Sequence, residues 1–118
     1  MINNRLYTND ILILVKAIDL FVAAKNTEYL TDEKHQIDLL AKSARKKFLN
    51  HEAKIYVNEI FATCICLNFW KYIILKANSN IKIGLDVKAK SEKYLSEIEY
   101  LMSQFDLQLQ AFGIDIFS

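Results

Sequence analysis

The sequence predicts an all-α, up-and-down bundle of about four helices that forms one domain over residues 1–118. The chain contains no proline and only two glycines, whereas turn-rich β folds need more of both. Apolar residues recur at helical spacing along most of the chain. The composition is 53% hydrophobic and 25% charged, as in folded domains of this length. We therefore expect more than about 60% helix and no sheet.

The first predicted helix starts after the polar run at residues 8–10 and extends to about Lys25, with Asn26 as its stop. Any side chain of that run can cap the first N–H groups of the helix. Residues 11–15 are all apolar, so this helix has almost no polar face. A helix of that kind lies inside a core or against a partner.

The second predicted helix begins at Thr31, a favourable N-cap residue. The apolar positions that follow are spaced for one face of a helix, and they are Ile37, Leu40, Ala41, Ala44 and Phe48. The cations at 45–47 suit the negative end of the helix dipole.

The third predicted helix runs from about Glu52 to Ala77 and is apolar almost all round. We expect it to sit at the centre of the bundle. Asn50 separates it from the second helix, although an uninterrupted run through 48–56, which would fuse the two helices, is the alternative. The first helix then becomes either a second buried helix or an oligomer face.

Residues 78–84 form the clearest predicted loop, and Asp86 can cap the fourth helix. Its apolar residues recur at a spacing close to 3.6, and they are Val87, Tyr94, Ile98, Leu101, Phe105, Leu109 and Phe112. Gly113 suits the position just after a helix. The apolar tail 114–118 is expected to dock back on the bundle or to contact a partner.

Charge is unevenly distributed although the net charge is only +1. Residues 34–54 carry six cations and two acids, and residues 91–118 carry five acids and one cation. The two segments could face each other within one chain or between two chains, or both could be solvated without pairing. The small net charge implies no general attraction to nucleic acid or membrane.

Cys64 and Cys66 are predicted to be small core residues in a reducing compartment. Their spacing places the two side chains about 200° apart on a helix, so they can neither bond to each other nor share a metal there. The start of the chain lacks the basic region of a signal peptide. The longest uncharged stretch, residues 60–70, is too short to span a bilayer. We expect a cytoplasmic protein that does not bind membranes.

Motifs for nucleotide, metal or cofactor binding are missing from the sequence. Two glycines cannot build a backbone cradle for phosphate. A ferritin-like metal site needs Glu-x-x-His, which the chain lacks, and no cofactor is expected. The acids Glu52, Glu59, Glu97 and Glu99 are interpreted as solvated. His35 occupies a helix as a phosphorelay histidine does, but it lacks the small neighbours that let a receiver approach.

One motif resembles a family of nucleases. The segment from Arg45 to His51 is similar to the Arg-x(4–6)-His signature of the HEPN ribonucleases, small helical bundles that usually pair to form a composite site. The resemblance implies that His51 acts as acid and base and that Arg45 binds phosphate. Lys46 departs from the smaller polar residue usual after the arginine, and the motif lies in mid-chain. The alternative is a basic helix end followed by an exposed turn histidine.

Nucleic-acid binding without catalysis is a further hypothesis, because clustered cations suffice for phosphate contacts. The candidate residues are Lys42, Arg45, Lys46, Lys47 and Lys54. Base stacking would also need an exposed aromatic ring beside them, and Phe48 belongs to the apolar face instead.

The preferred hypothesis is a non-enzymatic helical protein–protein interaction module. Small regulators and inhibitors of the immunity-protein, antitoxin and phage-inhibitor classes are built in this way. The comparison is an analogy at the level of protein class. It would form a homodimer or a tight hetero-complex through excess apolar surface on the first and third helices. The predicted partner-binding residues are Ile11, Leu14, Phe61, Ile65, Trp70 and Phe117.

Overall fold

The computed structural model describes residues 2–3, 6–52, 54–78 and 85–113 of the chain. Helices make up 81% of the described residues. They are α1 (Thr8–Ala23), α2 (Thr31–Leu49), α3 (Val57–Asn78) and α4 (Leu85–Gln110). The prediction of an all-α bundle with four helices is confirmed.

A minimal sheet accompanies the helices, so the expectation of no sheet was wrong. Strand β1 (Ile2–Asn3) pairs antiparallel with β2 (Lys54–Ile55), with Ile2 opposite Ile55. Two residues are too few to show the alternating pattern by which strands are recognised. Ile55 is fully buried, so strand β2 holds the connection between α2 and α3 against the core.

Helix α3 lies at the centre of the fold, as its all-round apolar character predicted. It packs against α1, α2 and α4, and α1 packs against α2. The contact between α1 and α4 is smaller, and α2 and α4 have at most a marginal contact in the part of the chain that the structure describes. The core is continuous across the four helices, and its largest fully buried residues include Phe21, Phe48, Leu67, Ile98 and Phe105.

Three helices begin with the same hydrogen-bond pattern. The sequence prediction placed their capping residues wrongly. The residue before the helix donates its backbone N–H to an acidic side chain three positions later, as one half of a capping box does. The pairs are Tyr7–Asp10 at 3.1 Å, Leu30–Glu33 at 3.1 Å and Tyr56–Glu59 at 2.9 Å. Residues 8–10 and 31, predicted as caps, therefore lie inside their helices. Asp86, predicted to cap α4, also lies inside its helix.

The end of α2 separates it from α3, so the fused-helix alternative was wrong. His51 has a φ of 54°, in the left-handed region. Its N–H donates to the carbonyl of Phe48 at 3.1 Å, and the N–H of Glu52 donates to that of Lys47 at 2.9 Å. These two bonds form a Schellman motif with His51 at the position that glycine usually takes. Helix α3 consequently begins at Val57, five residues later than predicted.

The loop was predicted at 78–84, but Asn78 is the last residue of α3. Residues 79–84 and the tail at 114–118 lie outside the described residues. Gly113, predicted to follow the fourth helix, has a φ of 78° in the turn after α4. This left-handed backbone suits a residue without Cβ.

Candidate binding groove

An aromatic cluster joins the connection between α1 and α2 to the outer side of α3. The Phe21 ring from α1 contacts Phe69 of α3 edge to face, with ring centres 5.5 Å apart. Tyr29 of the connection contacts the same Phe21 ring at 6.0 Å. Edge-to-face contacts add to the energy of burial. The cluster therefore fixes the connection against α3 and forms the floor of a surface groove.

The groove has a volume of about 620 Å³. We call it the aromatic groove, and its lining comprises Asn26, Thr27, Glu28, Tyr29, Ile65, Asn68, Phe69, Tyr72 and Lys76. Tyr72 stands at one wall with 60% of its surface exposed, and the Lys76 Nζ lies 5.9 Å from the centre of that ring. The groove thus combines a half-buried aromatic floor with an exposed aromatic wall.

Some polar side chains of the groove are bonded within the connection between α1 and α2, and others are open to a ligand. Thr27 is internal to the connection, because its Oγ1 accepts a hydrogen bond from the Tyr29 N–H at 3.3 Å. The exposed amides of Asn26 and Asn68 have no hydrogen-bond partner among the residues that the structure describes. Burial raises the pKa of Tyr29, and neighbouring Glu28 raises it further, so the Tyr29 hydroxyl stays a neutral donor.

The aromatic groove offers aromatic rings and side-chain amides as contact groups for a ligand. Each asparagine amide offers a donor and an acceptor, the same pair that a peptide group presents. The rings of Phe69 and Tyr72, which line the same groove, offer apolar contact area. This combination can hold a polypeptide segment whose backbone meets the amides and whose apolar side chain meets the rings.

The six predicted partner-binding residues do not form one surface. Ile11, Leu14 and Trp70 are buried in the core, with at most 6% of their surface exposed, so the folded chain does not present them to a partner. Phe61 and Ile65 are half-buried on α3, and only Ile65 lines the aromatic groove. Phe117 lies outside the described residues. The apolar excess of α1 and α3 is thus largely absorbed by contacts within the bundle.

Two of the five residues predicted to bind nucleic acid form ion pairs within the bundle. The Arg45 guanidinium binds Asp19 of α1, with Nε and Oδ1 2.8 Å apart. Lys47 binds a buried carboxylate of α3. Lys42, Lys46 and Lys54 are exposed, and none has an ion-pair partner within the described ranges. The basic segment therefore presents fewer free cations than its sequence suggests.

Both residues of the motif that resembles the HEPN ribonucleases have structural roles. Arg45 ties α2 to α1 through Asp19. His51 occupies the left-handed position that ends α2, and its side chain is exposed. These roles account for the two residues without requiring catalysis.

Glu59 was interpreted as solvated, and that interpretation was wrong. Only 2% of its surface is exposed. Its Oε1 accepts from Lys47 Nζ at 2.6 Å and from the Tyr56 N–H at 2.9 Å, and its Oε2 accepts from the Ser43 hydroxyl. Burial acts to raise the pKa of Glu59, but the bonds from Lys47, Ser43 and Tyr56 outweigh it and hold the pKa below its ordinary value. We call these four residues the Glu59 cluster.

The remaining acids and the cysteines offer little reactivity. Glu99 is 53% exposed and lies 3.4 Å from Lys71, whereas Glu52 is exposed and Glu97 half-buried. Cys64 and Cys66 are both buried and free, as predicted, and burial raises the pKa of the Cys64 thiol to about 12. A thiol needs its thiolate form to attack or to bind metal. Across the described residues, no group of three potential ligands could hold a metal ion.

Helix α3 has the length and composition of a possible membrane span over Val57–Ala77, with a mean hydropathy of 1.4. Half of the tested window is buried inside the bundle, and core helices of soluble proteins meet the same criterion. The feature is therefore weak support for a span. It is also the reason why α3 can contact three other helices at once.

Fold and groove together define a small all-α bundle with a surface groove beside its central helix. No protein-family model, no curated protein and no solved structure matches this chain.

Proposed function

We propose that this chain is a non-enzymatic protein–protein interaction module of the small regulator or inhibitor class, and that the aromatic groove is its binding site. The observation that carries the proposal is the pairing of apolar rings with two amides that lack partners among the described residues. Aromatic residues are enriched in interface cores because they bury a large area at a small entropic cost.

The proposed occupant is an extended segment of a partner protein that presents one large apolar side chain. That side chain would lie over Ile65 and Phe69, between Tyr29 and Tyr72. The amides of Asn26 and Asn68 lie at the same groove, where the backbone N–H and C=O groups of an extended segment could pair with them. Because the floor is fixed by the Phe21 contacts, little ordering is needed on binding, and preorganisation of this kind favours affinity.

The test uses a photo-crosslinking amino acid at position 72, with the same substitution at position 100 as the control. Tyr72 and Tyr100 are both 60% exposed, but Tyr100 lies on α4, away from the groove. A protein crosslinked from position 72 and not from position 100 is then purified and titrated against this chain. Tyr72→Ala should weaken binding by about 2 kcal/mol, or roughly thirtyfold, and Tyr100→Ala should leave it unchanged.

A second variant, Asn68→Ala, separates the polar contribution from the apolar one. We expect it to weaken binding by about 1 kcal/mol through loss of its hydrogen bonds. If a purified partner binds equally well to both groove variants and to wild type, the groove is not its site and the proposal fails.

A further inference from the structure

Tyr56 is an exposed aromatic residue beside the basic end of α2. Its surface is 54% exposed. The Lys47 Nζ lies over the ring, 4.1 Å from its centre, and Lys47 is itself held by its ion pair with Glu59. The backbone N–H of Tyr56 is bonded to the same Glu59 carboxylate at 2.9 Å. The Glu59 cluster therefore anchors both the backbone and the ring of Tyr56, while the exposed half of this side chain faces solvent.

Lys54 presents its side chain on the same side of the chain as Tyr56. Along residues 54–56 the side chains are exposed, buried and exposed in turn. This alternation is typical of extended backbone, in which successive side chains point to opposite sides. Because Ile55 is buried in the core, Lys54 and Tyr56 both point outward, with their Cα atoms about 7 Å apart.

Two more cations continue along the exposed face of α2. Lys42 and Lys46 are four residues apart, so their side chains are neighbours on one face of the helix. Both are exposed, and neither has an ion-pair partner within the described ranges. Lys46 directly precedes Lys47, the residue that holds the ring. We call the following four residues the basic face: Lys42, Lys46, Lys54 and Tyr56.

The acids around the basic face offset only part of its charge. Asp38 of α2 is paired with Lys34, and Glu59 is paired with Lys47. Glu52 is exposed in the connection between α2 and α3, and it opposes one of the three cations. The basic face thus keeps a surplus of positive charge next to an exposed ring.

We propose that the basic face binds single-stranded nucleic acid, with one base stacked on Tyr56 and neighbouring phosphates bound by Lys54, Lys46 and Lys42. Proteins that hold such strands without sequence preference combine cations along the backbone with aromatic rings under the bases. The sequence offered Phe48 as the neighbouring ring, but Phe48 is buried. Tyr56 supplies the exposed ring that was missing.

This site is separate from the aromatic groove, because no residue of the basic face lines that groove. It is also independent of the nuclease motif, since it requires neither Arg45 nor His51. Lys47 is not counted among the phosphate ligands, because its charge is already matched by Glu59.

The test is fluorescence anisotropy with a labelled oligouridylate of about ten nucleotides, a length within the site sizes of single-strand binders. Wild type in low salt should bind this strand and should lose affinity as salt is added. It should bind a duplex of equal length more weakly, because the bases of a duplex are stacked on one another. Attraction of charge alone would favour the duplex, whose charge density is higher.

Two kinds of variant separate stacking from charge. Tyr56→Ala should weaken binding by about tenfold, whereas Tyr56→Phe, which keeps the ring, should bind as wild type does. Lys42→Ala with Lys46→Ala should weaken binding and reduce its dependence on salt, since two phosphate contacts are lost.

The matched controls lie on α4, which has at most a marginal contact with α2 in the described part of the fold. Tyr100→Ala removes a ring that is 60% exposed, and Lys90→Ala with Lys93→Ala removes two exposed cations. Both should bind as wild type does, and circular dichroism checks that every variant remains helical.

Three results would overturn the proposal. The first is that wild type fails to bind the strand in low salt. The second is that Tyr56→Ala binds as tightly as wild type, because the attraction is then one of charge alone. The third is that the α4 controls lose as much affinity as the variants of the basic face, because binding is then not confined to this site.

Discussion

Glu59 of α3 and Lys47 of α2 form an ion pair of 2.6 Å beneath the surface of the bundle. The Glu59 side chain is 3% exposed and the Lys47 side chain 19%. The Lys47 ammonium also lies 4.1 Å from the centre of the Tyr56 ring, where the aromatic face favours a cation. The pair connects the last turn of α2 to the first turn of α3.

Glu59→Ala should destabilise the fold by about 2–3 kcal/mol. The change leaves the Lys47 charge half-buried without its partner and removes the acceptor of the Tyr56 N–H. Urea unfolding measures the loss. Glu99→Ala, which breaks the exposed pair with Lys71, is the matched control and should change stability by about 0.5 kcal/mol or less. Equal losses in the two variants would contradict a structural role for the Glu59 cluster.

Acid should weaken the fold in part through Glu59. Its pKa in the folded chain is below its ordinary value of 4.5, so near this pH the unfolded chain binds more protons. The stabilisation is complete above pH 4.5 and disappears as the pH falls through the folded pKa. Glu59→Gln should therefore show a smaller loss of stability than wild type between about pH 6 and pH 3. Parallel acid unfolding curves for the two proteins would refute this prediction.

His51→Gly should stabilise the protein by about 0.5–1 kcal/mol, since glycine adopts a positive φ without the clash of a Cβ. Asn50→Gly is the control, because Asn50 has a φ of −86° and should gain nothing. Thermal unfolding of the three proteins measures the difference. A destabilised His51→Gly variant would show that the imidazole makes contacts worth more than the backbone strain.

The same His51→Gly variant also tests the ribonuclease hypothesis, because we expect it to remain folded. Cleavage of single-stranded RNA by wild type in the absence of metal, absent from the variant, would support catalysis by His51.

Leu14→Ala should destabilise the fold by about 2–5 kcal/mol, as other buried leucines do on truncation. Leu12→Ala, two residues earlier on α1, should change stability by about 0.5 kcal/mol or less. The reason is that Leu14 is fully buried, whereas Leu12 is 62% exposed. Urea unfolding at low protein concentration compares them. Unchanged stability of the Leu14→Ala variant would contradict burial of Leu14 in the core and would favour its predicted role in partner binding.

The sequence by itself determined the helices and the role of α3. The periodicity of the apolar residues and the missing prolines define where helices form, and these are local properties of the chain. An apolar helix with so thin a polar edge has to be surrounded, which is why the central position of α3 was predictable. The helix starts were placed less well, because the residues before α1, α2 and α3 are Tyr7, Leu30 and Tyr56 rather than the usual caps.

Only the tertiary structure decided which side chains face which neighbours. Glu59 resembles any solvated acid in its helix, and its burial depends on how α2 lies against α3. Ile11, Leu14 and Trp70 could equally have met a partner, until packing placed them inside the bundle. The aromatic groove joins residues 26–29 to residues 65–76. Spacing along a chain defines the faces of each helix, but the pairing of those faces depends on the relative placement of helices distant in sequence.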